Sequence, residues 1–278
     1  MSSDDQEGLS SAAASARGAT ARRPLIRLCG VAKSYPGKDG PMASLDPLSF
    51  DIDEGEFVSV VGPSGCGKTT LLKLVAGLLP VSAGELTLSG SRIDGPQRNV
   101  GIVFQSAVLL AWRNVLDNIL LQAEMRKLPM AAARERALKL IATAGLEGFE
   151  KSYPWQLSGR MQQRVSICRA LLHDPSVLLM DEPFGALDAM TREKMNLELQ
   201  RIWMGSKKTV LLITHSIPEA VFLSDRVLVM SERPGSIAAI YDIDLPRPRP
   251  LDVMSSAEFA RYTQSIRGHF FTQGSLDH

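Results

Sequence analysis

A glycine-rich segment in the first third of the chain carries residue types that can hold phosphate groups. The stretch 62–69 has a glycine, four further residues and then Gly-Lys-Thr, between a predicted strand and a predicted helix. Glycines let backbone amides turn inward around phosphate oxygens, and the start of a helix adds a partial positive charge. Lys68 can then reach the β- and γ-phosphates, and the Thr69 hydroxyl can bind Mg²⁺. The candidate nucleotide contacts in this loop are Gly62, Pro63, Ser64, Gly65, Cys66, Gly67, Lys68, Thr69 and Thr70.

The same loop contains a cysteine, Cys66. A helix N-terminus and the ammonium group of Lys68 both favour the thiolate, which is the reactive form of a cysteine. We therefore expect Cys66 to react with thiol reagents, and we expect the adduct to obstruct phosphate binding.

Two adjacent carboxylates end an apolar segment later in the chain. Residues 176–180 read Ser-Val-Leu-Leu-Met, which predicts a buried strand, and Asp181 and Glu182 follow directly. In enzymes with this kind of phosphate-binding loop, the acidic residue after such a strand holds Mg²⁺, and we assign that role to Asp181. Glu182 is placed to act as the general base that activates the attacking water. Taken alone, the pair could equally be a solvated turn, and it is the phosphate-binding loop that favours catalysis.

Strand and helix patterns divide the chain into a β-rich and α/β body and an inserted helical stretch. Alternating and β-branched apolar residues predict strands at 26–30, 48–52, 57–61, 84–88, 100–104, 177–180, 209–214 and 226–230. Apolar residues spaced by three and four predict helices at 68–76, 115–144 with a break near Pro129, 161–172, 191–203 and 256–271. Residues 246–250 alternate proline and arginine, which favours an extended link before the last helix.

Composition argues against several classes of protein. Of the 278 residues, 45% are hydrophobic and 22% charged, and the formal net charge of +1 gives no basic excess for nucleic acid. Three widely spaced cysteines indicate reduced thiols rather than a disulfide framework. No stretch approaches the roughly 20 apolar residues that span a bilayer. Residues 1–24 are rich in Ser, Ala and Arg without an apolar core, so we expect a disordered leader rather than a secretory signal.

A third motif connects these features to a known family. The sequence Leu-Ser-Gly-Arg-Met-Gln-Gln-Arg at 157–164 resembles the signature of ABC ATPases, and other family motifs occur in the expected order. Tyr35 matches the aromatic residue that stacks on adenine, and Gln105 matches the glutamine that precedes the helical insertion. Asp188 ends a segment that resembles the D-loop, and His215 matches the switch histidine. The ordered set is far more specific than any single residue, because each alone has an ordinary structural explanation.

The resemblance covers about residues 26–247 and implies a fold. It is the α/β fold of P-loop NTPases, with a RecA-like parallel-sheet core, an antiparallel β subdomain and an inserted α-helical subdomain. The implied organisation is an ABC ATPase domain at 25–248, with the helical insertion at about 106–170, followed by a C-terminal extension at 249–278.

The resemblance also implies ATP and Mg²⁺ as cofactors and a head-to-tail homodimer. In the family, two ATP molecules lie between two subunits, and the P-loop of one subunit and the signature of the other complete each site. Ser158, Gly159 and Asp188 would then reach the nucleotide that the partner subunit holds. The implied catalytic residues are Glu182, His215 and Gln105, and the implied Mg²⁺ contacts are Thr69, Gln105 and Asp181.

One residue departs from the family pattern. Arg160 stands where the signature usually has a second glycine, which allows close backbone approach to a nucleotide. Its bulk could slow hydrolysis, its cation could attract phosphate, or its side chain could turn aside without consequence.

The family motifs favour a transport role. Only a short helical stretch separates Gln105 from Ser158, without the sustained heptads of coiled-coil DNA-repair ATPases, and the chain has one cassette. The motifs at 104–118, 153–157 and 181–188 resemble the nitrate, sulfonate and taurine branch of bacterial importers. This implies transmembrane permease subunits, an extracytoplasmic solute-binding protein, no nucleic-acid partner, and a peripheral position on the cytoplasmic face of the inner membrane.

Two questions stay open at this point. A soluble ABC ATPase that remodels a nucleic-acid or ribosomal complex is the alternative function. The apolar residues Val108, Leu109, Leu110 and Trp112 either receive a short cytoplasmic helix of the permease or pack inside the helical insertion.

Overall fold

The computed structural model of the protein describes residues 24–38, 40–185 and 188–271. Of the predicted leader at 1–24, only Pro24 lies within these ranges, where it begins the first strand. Residues 186 and 187 of the predicted D-loop lie outside the described residues, whereas Asp188 is described.

Strands and helices alternate along most of the chain. The strands are β1 (Pro24–Gly37), β2 (Gly40–Asp53), β3 (Phe57–Val61), β4 (Ala83–Leu88), β5 (Ser91–Arg92), β6 (Val100–Val103), β7 (Val177–Asp181), β8 (Thr209–Ile213), β9 (Arg226–Met230) and β10 (Ile237–Asp242). The helices are α1 (Lys68–Val75), α2 (Val115–Arg126), α3 (Met130–Thr143), α4 (Gly159–Leu171), α5 (Ala189–Ser206), α6 (Ile217–Leu223) and α7 (Ala257–Phe271). None of the helices in the described ranges is long and apolar enough to cross a membrane.

A six-stranded sheet forms the centre of the fold and positions the predicted catalytic residues. Its strand order is β10-β9-β3-β8-β7-β6, and every neighbouring pair is parallel except β9–β10. The carboxyl ends of parallel strands lie at one edge of a sheet, which is where such folds bind ligands. The phosphate-binding loop follows β3 at this edge, and Gln105 follows β6. Asp181 ends β7 and Glu182 comes directly after it, and His215 follows β8.

A four-stranded antiparallel sheet supplies the β subdomain. Its order is β2-β1-β4-β5, and β1 and β2 form a long hairpin in which Tyr35 pairs with Met42. The sequence predicted only residues 26–30 and 48–52 of this hairpin. Several register shifts along β1 interrupt the alternation of apolar residues, so the outer half of the hairpin shows no clear strand pattern.

Three buried apolar clusters hold these layers together. The first joins the antiparallel sheet and α1 to one face of the central sheet, and the second covers the other face with α5, α6 and α7. The third lies among α2, α3 and α4. The predicted α/β fold with an antiparallel sheet and an inserted helical part is therefore confirmed, while the exact domain bounds stay a prediction.

The structure adds two elements that the sequence did not predict. Helix α6 has seven residues, which is too short for the helical period to repeat, and β10 was also missed. The break predicted near Pro129 within 115–144 is confirmed, because Lys127 adopts a left-handed φ of 54° and ends α2, and α3 begins at Met130.

A buried arginine anchors the segment between the central sheet and α7. Arg249 is 1% exposed, and its guanidinium donates to backbone carbonyl oxygens from two separate segments. The bonds to the carbonyls of Val221, Phe222 and Ser224 are each 2.9 Å long, and that to Leu245 is 3.0 Å. Burial lowers the pKa of Arg249 to about 10.

The predicted proline–arginine link is therefore fixed to the protein core rather than lying free. Gln200 of α5 reinforces it, because its side-chain amide accepts from the Arg249 backbone N–H at 2.8 Å and donates to its carbonyl at 2.9 Å. Beyond this anchor, α7 buries Phe259 and Ile266 in the same cluster that covers the central sheet. Residues 249–271 thus pack as part of the main body.

Replacing Arg249 by methionine should lower the free energy of unfolding by about 3–5 kcal/mol, because buried carbonyl oxygens would lose their donors. The shift in the midpoint of urea unfolding measures this loss. Arg261→Met is the matched control, because Arg261 lies exposed on α7 and pairs with Glu258 at the surface. It should cost less than about 1 kcal/mol, and equal effects of the two substitutions would contradict the anchoring role.

Candidate functional site

The phosphate-binding loop has a backbone that only glycine adopts easily at two positions. Gly65 and Gly67 have φ angles of 76° and 105°, in the left-handed region. A Cβ atom at Gly67 would also lie 2.5 Å from Leu45 Cδ2 and 3.0 Å from the Ser44 carbonyl oxygen. The loop therefore keeps its shape because these positions carry no side chain.

Lys68 points into the loop that precedes it. Its ammonium group donates to the carbonyl oxygens of Gly62 at 2.8 Å and Pro63 at 2.7 Å. Burial lowers the pKa of Lys68, and the charges of Asp181 and Glu182 oppose that shift. The result is a buried amine at the base of a loop whose backbone can face phosphate.

Cys66 does not have the reactivity that its position in the loop suggested. Its side chain is only 1% exposed, and Lys68 Nζ lies 3.8 Å from Sγ. Burial raises the pKa of the Cys66 thiol and outweighs the charge of Lys68, which acts in the opposite direction. The expectation of a reactive thiolate was therefore wrong, because the sequence did not reveal the burial.

Three predicted catalytic side chains meet around Glu182. Its Oε1 lies 2.6 Å from His215 Nε2, and its Oε2 accepts from Gln105 Nε2 at 3.4 Å. Glu182 has a φ of 47°, and its backbone N–H donates to the Ile213 carbonyl at 2.8 Å. A non-glycine residue in this conformation is strained, and such strain is concentrated at functional sites.

The predicted Mg²⁺ ligands lie beside this group. Thr69 Oγ1 donates to Asp181 Oδ1 at 3.2 Å. Burial raises the pKa of Asp181, the Thr69 bond opposes the shift, and the neighbouring charge of Glu182 adds to it. The described residues contain no cluster of three or more His, Cys, Asp and Glu side chains that could enclose a metal. A hydroxyl and a carboxylate instead suit Mg²⁺, which usually takes one or two protein carboxylates together with substrate phosphates.

Several of these groups line one cleft of about 380 Å³, although Gln105 and Asp181 are not among its lining residues. It brings together the hairpin, the phosphate-binding loop, Glu182 and His215, and its lining residues are Tyr35, Ser44, Ser64, Gly65, Gly67, Lys68, Thr69, Thr70, Glu182, His215 and Arg233. Sequence reasoning did not include Ser44 or Arg233, because both lie far along the chain from any motif that identifies phosphate binding.

The signature residues are not among those that line the cleft. Ser158 caps α4 by accepting from the Met161 N–H at 3.4 Å, and Gly159 is the first residue of that helix. Asp188 caps α5 by accepting from the Thr191 N–H at 3.0 Å. One subunit therefore presents the phosphate-binding loop and the signature as two separate surfaces.

Arg160 turns toward the start of α5. Its Nη2 donates to Thr191 Oγ1 at 3.1 Å, and the side chain is half-buried. This contact joins the signature helix to the segment that follows the predicted D-loop.

Behind His215 lies a buried carboxylate that sequence reasoning missed. Glu219 is 3% exposed, and one of its oxygens accepts from the Thr214 hydroxyl, which in turn accepts from the Ser216 N–H at 3.0 Å. Its other oxygen, Oε1, is buried without a hydrogen-bond partner among the described residues. Burial raises the pKa of Glu219 to about 7, while the Thr214 bond and the charge of Arg192 oppose the shift. Glu219 thus fixes the turn that carries His215.

Stability should depend on pH through Glu219. A carboxyl whose pKa is raised on folding stabilises the protein below its unfolded pKa of 4.5, and this contribution is lost as the pH rises through about 7. Glu219→Gln, which can still accept from Thr214, should therefore gain about 3 kcal/mol relative to the unmodified protein between pH 4.5 and pH 8. Urea midpoints at several pH values measure the difference. The exposed Glu147→Gln should show no such trend, and parallel pH profiles for both variants would exclude a raised pKa.

Comparison with known proteins agrees with this geometry. The family model of the ABC transporter matches residues 45–185. The chain is 46% identical over 229 residues to a taurine import ATP-binding protein of Rhizobium johnstonii, covering 81% of this chain and 87% of that protein. It is 42% identical over 224 residues to an aliphatic sulfonates import ATP-binding protein of Bacillus cereus, covering 81% of this chain and 88% of that protein.

A solved structure is also similar. It is the dimeric post-hydrolysis state of an ATP-binding cassette bound to ADP and phosphate, with a TM-score of 0.70 and 31% identity over 80% of this chain and all of that one. The family model, the two relatives and the arrangement around the phosphate-binding loop all agree. The chain is thus a member of the ABC transporter family, and within it an ATP-binding and ATP-hydrolysing subunit.

Proposed function

We propose that this ATPase powers the import of a small solute through a separate transmembrane permease. The solute class is nitrate-, sulfonate- or taurine-like, in keeping with the names of its relatives. The observation that carries the catalytic part of the proposal is the placement of Glu182 between His215 and Gln105, beside the phosphate-binding loop. The ATPase does not contact the solute, so the permease and an extracytoplasmic binding protein select it.

Each predicted site residue receives a role in this proposal. Lys68 and the backbone of the loop bind the β- and γ-phosphates, and Tyr35, which lines the cleft, stacks on adenine. Thr69, Asp181 and Gln105 would hold Mg²⁺, which when bound would neutralise charge on the phosphate oxygens.

Hydrolysis requires one proton transfer and one bond exchange. Glu182 accepts a proton from water as the water oxygen bonds to the γ-phosphorus, and His215 orients the water and the γ-phosphate. The bond from the γ-phosphorus to the bridging oxygen then breaks, and ADP and phosphate are the products. The buried carboxylate of Glu219 keeps the turn of His215 in place during this step.

The separation of the signature from the cleft supports a head-to-tail dimer. In that arrangement, Ser158, Gly159 and Asp188 reach the nucleotide bound by the partner subunit, with the start of α4 facing its γ-phosphate. Cleavage of ATP releases the γ-phosphate, which joins the two surfaces. The dimer can then open, and the attached permease can change conformation.

Replacing Glu182 by glutamine should reduce ATP hydrolysis at least 100-fold, because an amide cannot accept the proton of the attacking water. ATP binding should remain, so the variant should accumulate as an ATP-bound dimer in gel filtration. The exposed Glu147→Gln provides the control and should hydrolyse ATP at the normal rate. Near-normal turnover of the Glu182 variant would remove this residue from the role of general base.

Arg160 should slow hydrolysis in the homodimer without preventing it. In the dimer, this side chain lies close to the γ-phosphate held by the partner subunit, where donors must be placed accurately. Arg160→Gly should therefore raise the maximal ATPase rate severalfold and leave ATP affinity of the monomer unchanged. Thr191→Ala removes the hydrogen-bond partner of Arg160 and leaves the arginine side chain in place. It therefore separates the effect of the bond to Thr191 from the effect of the bulk of Arg160. An equally inactive protein with and without Arg160 would indicate that a second, different ATPase subunit is required.

The segment after Gln105 supplies a docking groove for the permease. A cleft of about 400 Å³ is lined by Phe104, Val108, Leu110 and Leu121, and Val108 is 57% exposed. Val108 has a φ of 43°, which is strained for a β-branched residue. The guanidinium of Arg169 holds it there by donating to the carbonyls of Ala107 and Val108, each at 2.8 Å. An apolar, rigidly held groove of this kind suits a short amphipathic helix.

Trp112, two residues after Leu110, is 73% exposed, whereas Leu109 packs against the core of the helical part. The segment thus contributes both to packing and to the exposed surface. Its exposed residues are the ones we assign to the permease.

Substituting serine for Trp112 should reduce ATP-driven uptake at least tenfold and spare the ATPase activity of the isolated subunit. Met204→Ser, at an exposed apolar residue of α5, is the control and should leave both activities intact. Loss of uptake and ATPase activity together in the Trp112 variant would favour a packing role instead.

The importer and the alternative function differ in what the protein binds in the cell. An importer subunit should co-purify with a permease from detergent-solubilised membranes, in a peripheral position on their cytoplasmic face. A remodelling ATPase should co-purify with nucleic acid or ribosomes, and that result without any permease would overturn our proposal.

A further inference from the structure

A second and larger cleft lies directly beside the ATP cleft. Its volume is about 850 Å³, and it shares Ser64, His215 and Arg233 with the ATP cleft. Ile217 of α6 and Phe270 of α7 form its apolar wall. The cleft therefore belongs to the same face of the subunit as the phosphate-binding loop, and the last turn of α7 extends that face.

An exposed apolar side chain stands at the other surface of the subunit, next to the signature. Met190 in the first turn of α5 is 71% exposed. The bond from Arg160 to the following residue, Thr191, places this turn beside the signature. Asp188, which caps the helix, lies two residues before Met190.

We propose that Met190 of one subunit inserts into the large cleft of its partner, against Ile217 and Phe270. The inference rests on the proposed head-to-tail dimer, in which the signature of one subunit meets the phosphate-binding loop of the other. In that arrangement, the start of α5 and the large cleft both lie next to the surfaces that meet. A flexible, unbranched methionine suits such an irregular apolar cleft.

Complementary charges flank the two apolar features. Arg267 lines the cleft on α7 and is exposed, and its side chain forms no hydrogen bond or ion pair within the described residues. Glu193 follows Met190 by three residues, so both lie on one side of α5, and it is likewise exposed and unpaired within the described part of the chain. An ion pair between Arg267 and Glu193 of opposite subunits would form as Met190 enters the cleft. Glu232 on the rim of the same cleft is the acidic group that competes for Arg267.

This contact gives α7 a specific role in the ATPase. The helix packs its inner side into the core through Phe259 and Ile266, and it contributes Arg267 and Phe270 to the surface that the partner covers. Dimer closure would then depend on α7 as well as on the two bound nucleotides.

The test measures ATP-dependent dimerisation in the Glu182→Gln background by analytical ultracentrifugation. Met190→Ser should weaken the dimer at least tenfold and leave ATP affinity of the monomer unchanged. Met125→Ser is the matched control, because Met125 is 73% exposed on α2, and it should have no effect. Arg267→Glu and Glu193→Arg should each weaken the dimer, and the combined charge reversal should restore at least half of the loss.

The outcomes separate this inference from the proposed function. If the Glu182→Gln protein itself forms no dimer with ATP, the head-to-tail mechanism fails. If it dimerises and Met190→Ser behaves as Met125→Ser does, or the charge reversal restores nothing, then this contact does not exist. Retention of a normal unfolding midpoint in each variant ensures that a weakened dimer reflects the lost contact.

Discussion

The register of three parallel strands determines where the chemistry can occur. Val60 of β3 lies beside Ile213 of β8, and Ile213 lies beside Asp181 of β7. Each of the three strands ends within one residue of this level, so the phosphate-binding loop, the acidic pair and the turn that carries His215 all start at the same height along the sheet. If any strand slipped by one residue, the side chains that face one side of the sheet would face the other side, and these groups would separate. The apolar clusters on both sides of the sheet hold this register.

Strained or buried polar groups occur beside this rigid edge. Glu182 at φ 47° and Val108 at φ 43° each cost on the order of 1–3 kcal/mol. Backbone bonds fix Glu182, and the two bonds from Arg169 fix the segment of Val108. Buried Glu219 adds a further unfavourable group behind His215. By our proposal, the unfavourable groups thus lie where the protein meets nucleotide and the permease, while the strands beneath them are largely buried and apolar.

Sequence alone predicted the parts of the site that are local in the chain. The phosphate-binding loop and the acidic pair each follow a short apolar strand, so residue types and spacing were enough to propose Lys68 and Asp181 as site residues. The grouping of Gln105 with Glu182 required a family resemblance, because these residues come from separate strands. The properties of Cys66 and Glu219 were out of reach, since their pKa values depend on burial by segments distant in sequence. Arg249 was missed for the same reason, because an arginine among prolines usually indicates an exposed segment.

The two surfaces of one subunit are joined by a continuous set of contacts. Arg160 of the signature helix bonds to Thr191, and the next residue, Arg192, donates through Nε to the Phe184 carbonyl at 3.4 Å. Phe184 lies in the turn that Glu182 begins, where the Gly185 N–H donates to the Glu182 carbonyl at 3.1 Å. These contacts connect the first turn of α5 to the turn that carries Glu182. In the proposed dimer, that first turn is where the partner binds, so a chain of contacts leads from the partner-facing surface of a subunit to its own Glu182.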